Sequence, residues 1–190
     1  MNNTTSPDTT ARAVRERRRE VAHLLVDAAL RADLEWADLA HLPDWADRPA
    51  DELDALAWAT AAWLHAHELR RCIDGPVLSL LRTRLGESAF AALRSTPPPG
   101  GAPESTPPSL DLAAMSAPQL DALLLSRGRD CLLASVESSA LRRCLREHWW
   151  QAVSGPVIAP STALAQAAVR AALDHMPHTG QTDSSCSPGP

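Results

Sequence analysis

Four residues in one helical stretch have the chemistry of metal ligands: His65, His67, Glu68 and Cys72. Imidazole, carboxylate and thiolate are the groups that hold zinc. Spacing decides against the set. Residues two apart on a helix point about 200° away from each other, so His65 and His67 cannot share an ion. A zinc helix places its histidines at i and i+4. His65 and Cys72 do fall on one face, but two ligands do not make a site. No metal and no cofactor is expected.

A second run, Asp44, Asp47, Asp51 and Asp54, offers carboxylates. Acid–base work needs them in a concave, partly apolar site. Helix caps and solvated turns account for the run more simply, with Asp51 and Asp54 as a loose capping pair for the next helix. Cys72, Cys131, Cys144 and Cys186 form no CxxC pair and no disulfide framework. The chain has no Gly-rich phosphate loop, no G-x-S-x-G elbow and no Ser-His-Asp order. No catalytic residues are expected, and the chain reads as a non-enzyme.

Composition bounds the rest. Of 190 residues, 45% are apolar, enough for a core, and 22% are charged. One domain is the default at this length. The formal net charge of -5 argues against a nucleic-acid or membrane-surface role for the whole chain. The positive charge is entirely Arg, and the Ala, Arg, Leu and Pro bias reads as GC-rich coding. The polar start has no apolar core of a secretory signal. No apolar run approaches the roughly 20 residues of a spanning helix. A cytoplasmic protein without direct membrane insertion is expected.

The stretch 53–93 organises the chain. Leu53, Leu56, Ala57, Thr60, Ala61 and Leu64 keep the spacing of one helix face. Trp58, Ala62, Leu69 and Ile73 widen that face, which predicts a helix buried on more than one side. Asp74-Gly75-Pro76 then reads as a corner. Gly75 suits the left-handed position past a helix end, and Pro76 suits the first turn of the next helix. Val77, Leu78, Leu80, Leu81 and Leu85 follow, Gly86 ends that helix, and a short helix over 87–94 carries Phe90. If Gly75 has positive φ, Gly75→Val should unfold the core.

Around this unit, residues 1–10 read as a disordered lead-in. A helix is expected from Thr10 to Leu34. Its Arg12–Arg19 half is either a basic patch or a solvated helix end with Glu16 and Glu20 interleaved. Residues 35–51 read as a loop with short helical turns, in which Trp36 and Trp45 are core anchors or interface hot spots. Residues 11–94 form the N-terminal helical part.

Residues 95–109, with six Pro and two Gly, read as a flexible linker. In the C-terminal helical part, 110–176, Ser116 and Gln119 form a capping box, with Met115 placed to staple onto Leu120. Gly128 stops that helix. A second helix spans 131–153, and a third, Ala-rich one spans 161–176 with Leu164, Ala168, Ala171 and Ala172 on one stripe. Residues 177–190 read as a disordered tail. No stretch alternates at period two, so the expected fold class is all-α, a single compact multi-helix domain interrupted by the Pro-rich linker, with disordered termini.

The pattern LRRCIDGPVLSLLRTRLGESAFAALR, residues 69–94, resembles the central segment of the SctK family of type III secretion proteins, also called YscK or OrgA. An Arg-x-Ile-Asp-Gly…Leu…Leu-Gly…Phe run follows a Leu- and Trp-rich helix in that family. AHLPDWA, residues 40–46, shares a His, a Pro and a Trp with the family's upstream turn, at different spacing. The Gly…Leu-Leu…Leu-Arg-Arg-x-Leu run after Gly128 is similar to the family's final segment. The resemblance covers roughly residues 22–153, and its motifs are structural.

It implies a cytoplasmic adaptor of the sorting platform, peripheral to the inner membrane. Its partners would be the cytoplasmic domain of the inner-membrane ring and the pod protein below, with no nucleic acid. On that implication His41, Asp44 and Trp45 are the candidate partner-binding residues. Ile73, Asp74, Gly75 and Pro76 are a corner that is more architecture than contact. The rival readings are a type III secretion chaperone, which calls for a mixed α/β fold, and a helical DNA-binding regulator using Arg12–Arg19.

Overall fold

The computed structural model describes residues 34–95, 110–112, 114–150 and 160–176, together with Arg19. The expected N-terminal helix and disordered ends, the break at Gly155-Pro156 and the linker expected over 95–109 lie outside the described residues, except Ser95, which belongs to the helix before it and not to the linker. The fold is all-α.

In order, the helices are α1 (Trp36–Ala40), α2 (Ala50–Leu64), α3 (Ala66–Arg70), α4 (Gly75–Ser95), α5 (Ala117–Ala134), α6 (Ser139–Trp149) and α7 (Thr162–His175). A 3-10 turn, Asp44–Asp47, lies between α1 and α2.

The central helix is α2. Its residues 56–63 are buried without a gap, including Trp58, Thr60 and Trp63. Such a run leaves no polar face, as expected for a helix enclosed on several sides. α2 packs most extensively on α5, next on α7, and also on α4. Ala57, Ala59, Ala61 and Ala62 let these neighbours approach closely. One continuous core therefore runs from Trp45 to Ala172 and joins both halves of the chain.

Three polar clamps fix the neighbours around α2. Asp121 of α5 accepts from Trp58 Nε1 at 2.9 Å and from Arg84 Nε and Nη2 at 2.9 and 2.6 Å, tying α5 to α2 and α4. Arg129 of α5 grips Asp54 of α2 through three contacts of 2.8–3.0 Å. Asp54 thus braces two helices and does not cap its own; α2 starts after Pro49 with no side-chain cap. Arg70 Nε donates to the Leu93 carbonyl at 2.6 Å and closes α3 onto the end of α4.

The structure corrects four sequence readings. The long helix expected before the corner breaks at His65, which caps α2 at φ -100° and ψ 20°. Beyond Arg70 the chain leaves helical geometry, so the periodicity that put Ile73 on a buried face no longer applies, and Ile73 is 92% exposed. Gly128 does not stop a helix. It lies inside α5, buried against α2. The helix expected over 131–153 is interrupted at residues 135–138, where Ser138 Oγ accepts from the Leu141 amide at 3.1 Å and starts α6.

The corner is corrected as well. Positive φ is at Gly86, 75°, and not at Gly75. Asp74 is the cap: its Oδ2 accepts from the Val77 amide at 3.3 Å. Pro76 sits in the first turn of α4, as its missing N–H favours. Gly86, with ψ 163°, bends α4 in a region that only glycine visits freely. This is where the sequence put a helix end.

On α7 the buried stripe is Ala165, Ala168, Val169 and Ala172, one position round from the expected one; Leu164 is half-buried. The Ser116–Gln119 box forms as expected: the Ser116 amide and hydroxyl both donate to Gln119 Oε1, at 2.9 and 2.8 Å.

A pair of variants separates the two glycines. A Cβ at either would meet nothing within 4 Å, so only backbone strain differs. Gly86→Ala should cost about 2 kcal/mol, the strain of a side chain in that region. Gly75→Ala should stay within about 0.5 kcal/mol of the parent. Urea unfolding followed by circular dichroism reads both, and the same conformational reasoning removes the expectation that Gly75→Val unfolds the core.

Candidate functional site

The turn Asp44–Asp47 presents Trp45 inward, because Pro43 and Pro49 hold extended backbone on either side of a single tight turn. Trp45 is 3% exposed and lies 6.3 Å from the ring of Trp149. Of the two readings the sequence left open for Trp45, its bulk belongs to the core. His41 and Asp44, on either side of Pro43, are exposed.

These three residues come together at one groove of about 540 Å3. Its floor is Leu42, Trp45, Val136, Val169 and Leu173, and its rim is His41, Asp44, Glu137, Gln166, Arg170 and Asp174. One wall is the turn between α1 and α2, another the link between α5 and α6, and the third is α7. Gln166 fixes the rim: its Nε2 donates to the Ser135 carbonyl at 3.1 Å and to Glu137 Oε1 at 3.3 Å. Beside His41, the Asp38 carboxyl is held below its usual range by hydrogen bonds from the Ser138 side chain and the Glu35 amide.

Sequence reading missed Glu137, Gln166, Arg170 and Asp174. The signal was present on α7, where Gln166, Arg170 and Asp174 recur at i, i+4 and i+8 beside Val169 and Leu173. Nothing local says that this stripe meets the turn at residue 44.

The other candidates separate in space. Ile73, Asp74, Gly75 and Pro76 are all exposed, so the corner is a protruding tip. A second cavity, about 390 Å3, lies under the Gly86 bend, with Trp63 stacked on His175 at 4.9 Å in its wall. Its two lip arginines are partnered: Arg48 with Glu52 at 3.8 Å and Arg84 with Asp121 at 2.6 Å.

His65 and His67 do not share a site. His67 is exposed, whereas His65 is fully buried between α2 and α5. Arg127 Nη1 lies 2.9 Å from His65 Nε2, so Nε2 accepts and the imidazole is neutral with its proton on Nδ1. Burial first, and then the adjacent guanidinium, push its pKa down to about 4. Among the described residues no cluster of three or more His, Cys, Asp or Glu could hold a metal ion. Burial pushes the Cys131 thiol up to about 12, which keeps it protonated and unreactive. Among the same residues, no helix is long and apolar enough to cross a membrane.

No protein-family model, no curated protein and no solved structure matches this chain.

Proposed function

We propose that this chain is a non-enzymatic cytoplasmic adaptor of a bacterial type III secretion machine. It would join the cytoplasmic domain of the inner-membrane ring to the pod protein of the sorting platform. The reading rests on the resemblance carried by residues 69–94. The observation that carries it furthest is the groove around Trp45, which gathers His41 and Asp44 at the edge of a concave, half-apolar surface. A protein that works by surfaces needs such a place for a partner's side chains. The helical fold favours an adaptor over the mixed α/β chaperone. The basic stretch that a DNA-binding regulator would use lies, apart from Arg19, outside the described residues.

Affinity purification of the tagged chain from its native cell tests the proposal. Ring and pod components should be enriched with the parent and reduced with Asp44→Ala, which is expected to melt at the parent's temperature because Asp44 is exposed. Recovery of no secretion component above an untagged control would sink the adaptor reading.

A further inference from the structure

We infer that the cavity under the Gly86 bend is a binding site for a small uncharged ligand, a compact aromatic or other apolar ring compound. The inference goes beyond the adaptor reading and does not depend on it.

Small residues make the space. The α2 wall is Asp51, Ala55, Ala59 and Trp63, spaced i, i+4, i+8 and i+12 and so on one stripe of that helix. Ala89 of α4 and Ala172 of α7 face it, and both stop at their Cβ atoms. Gly86 has no side chain, and a Cβ there would meet nothing within 4 Å.

Contacts outside the space hold its walls where they are. Arg84 of α4 donates to Asp121 at 2.6 Å, and Asp121 also accepts from Trp58 of α2. At the other end His175 of α7 stacks on Trp63, with the rings 23° apart. The volume is about 390 Å3. An apolar cavity of about 150 Å3 already takes benzene, so a larger ring system has room here.

The lining sets the chemistry of the ligand. Arg84 is taken by Asp121, and Arg48 faces Glu52. That leaves Asp51, which lies in the first turn of α2, where the amide end of the helix offsets a carboxylate. No group is left over to hold a ligand charge that must give up its water. The Thr83 hydroxyl already donates to the Ser79 carbonyl at 2.9 Å. The rest of the lining is alanine, Leu85, the Trp63 ring and Met176, which is half-buried and adapts its unbranched side chain to a ring.

The test is fluorescence titration of the full chain with N-phenylnaphthylamine, an uncharged dye that brightens in apolar surroundings. The dye should bind and raise the melting temperature. Anilinonaphthalene sulfonate, the same rings with a charge, should bind at least about tenfold less well. Ala59→Leu fills the cavity from α2 and should weaken dye binding by about tenfold or more. It should melt no lower than the parent, because the added side chain enters open space. Ala55→Leu, at the exposed lip, should weaken binding less and leave the fold intact. Leu42→Ala, in the floor of the groove at Trp45, should leave dye affinity unchanged.

No dye binding by the parent overturns the inference, as does equal affinity for the sulfonate or dye affinity unchanged in both leucine variants. A loss in Leu42→Ala equal to that in Ala59→Leu places the dye in the other groove and overturns it too. Ala59→Leu melting well below the parent shows that the space is not open, with the same result.

Discussion

Gly128→Ala should lower the unfolding free energy by on the order of 3 kcal/mol, although alanine is the better helix former by about 1 kcal/mol. A Cβ at Gly128 would stand 1.7 Å from the Ala57 carbonyl oxygen and 2.3 Å from its carbon. Both atoms are backbone in the middle of α2, so no rotamer change relieves the overlap, and α2 and α5 must move apart. That movement is costly because the same interface carries Asp54–Arg129, Trp58–Asp121 and His65–Arg127. Each of these needs the present separation of the two helices. Total stability of a domain is about 5–15 kcal/mol, so the loss is a large part of it. Thermal melting by circular dichroism should show a fall of roughly 10 °C. If Gly128→Ala melts at or above the parent, α5 does not touch α2 at Ala57.

The second large effect is a loss of stability as the solution is acidified, traced to His65. The folded chain keeps this imidazole neutral down to about 4, against an ordinary value of 6.5. Between those values the unfolded chain binds more protons than the folded one. Stability is therefore fully present above about pH 6.5 and is lost as pH falls towards 4, by about 3 kcal/mol at the limit.

Glu68, whose carboxylate is 3.9 Å from Nδ1, pulls the other way, but full burial and the guanidinium at Nε2 outweigh it. Asp130, pushed up by burial, also opposes the trend, since a raised carboxyl favours folding in acid. The comparison is therefore made against His65→Gln, which keeps an acceptor for Arg127 but does not titrate. Urea midpoints at pH 7 and pH 4.5 should fall further for the parent than for the variant. Equal falls would place His65 outside the acid-sensitive set.

The sequence by itself determined that this chain is helical, which helix is central, and where several helices start and bend. The continuous burial of α2 follows from a run of Ala, Leu and Trp with no polar face to spare, whatever its neighbours are. The Ser116–Gln119 box, Pro76 in a first turn and the bend at Gly86 are local, set by the conformations and hydrogen bonds of a few adjacent residues.

Only the tertiary structure decided what each glycine and each large apolar residue is for. Glycine serves as a stop, a bend or a point of close contact with the same residue type, and Gly128 is a contact because Ala57 lies across from it. Ile73 fits a helix face by its spacing, yet the chain has left the helix before it, so spacing no longer reports direction. Trp45 turned inward because Trp149, more than a hundred residues away in sequence, offers a ring to pack against.

The groove belongs to the same class. Asp44, Glu137 and Asp174 come from three separate segments, and their convergence depends on how α7 is seated against α2 and α5. Periodicity tells which residues share a face of one helix, but not which faces meet, nor how closely. Those are set by the shapes of both partners together, and a single helix carries only half of that information.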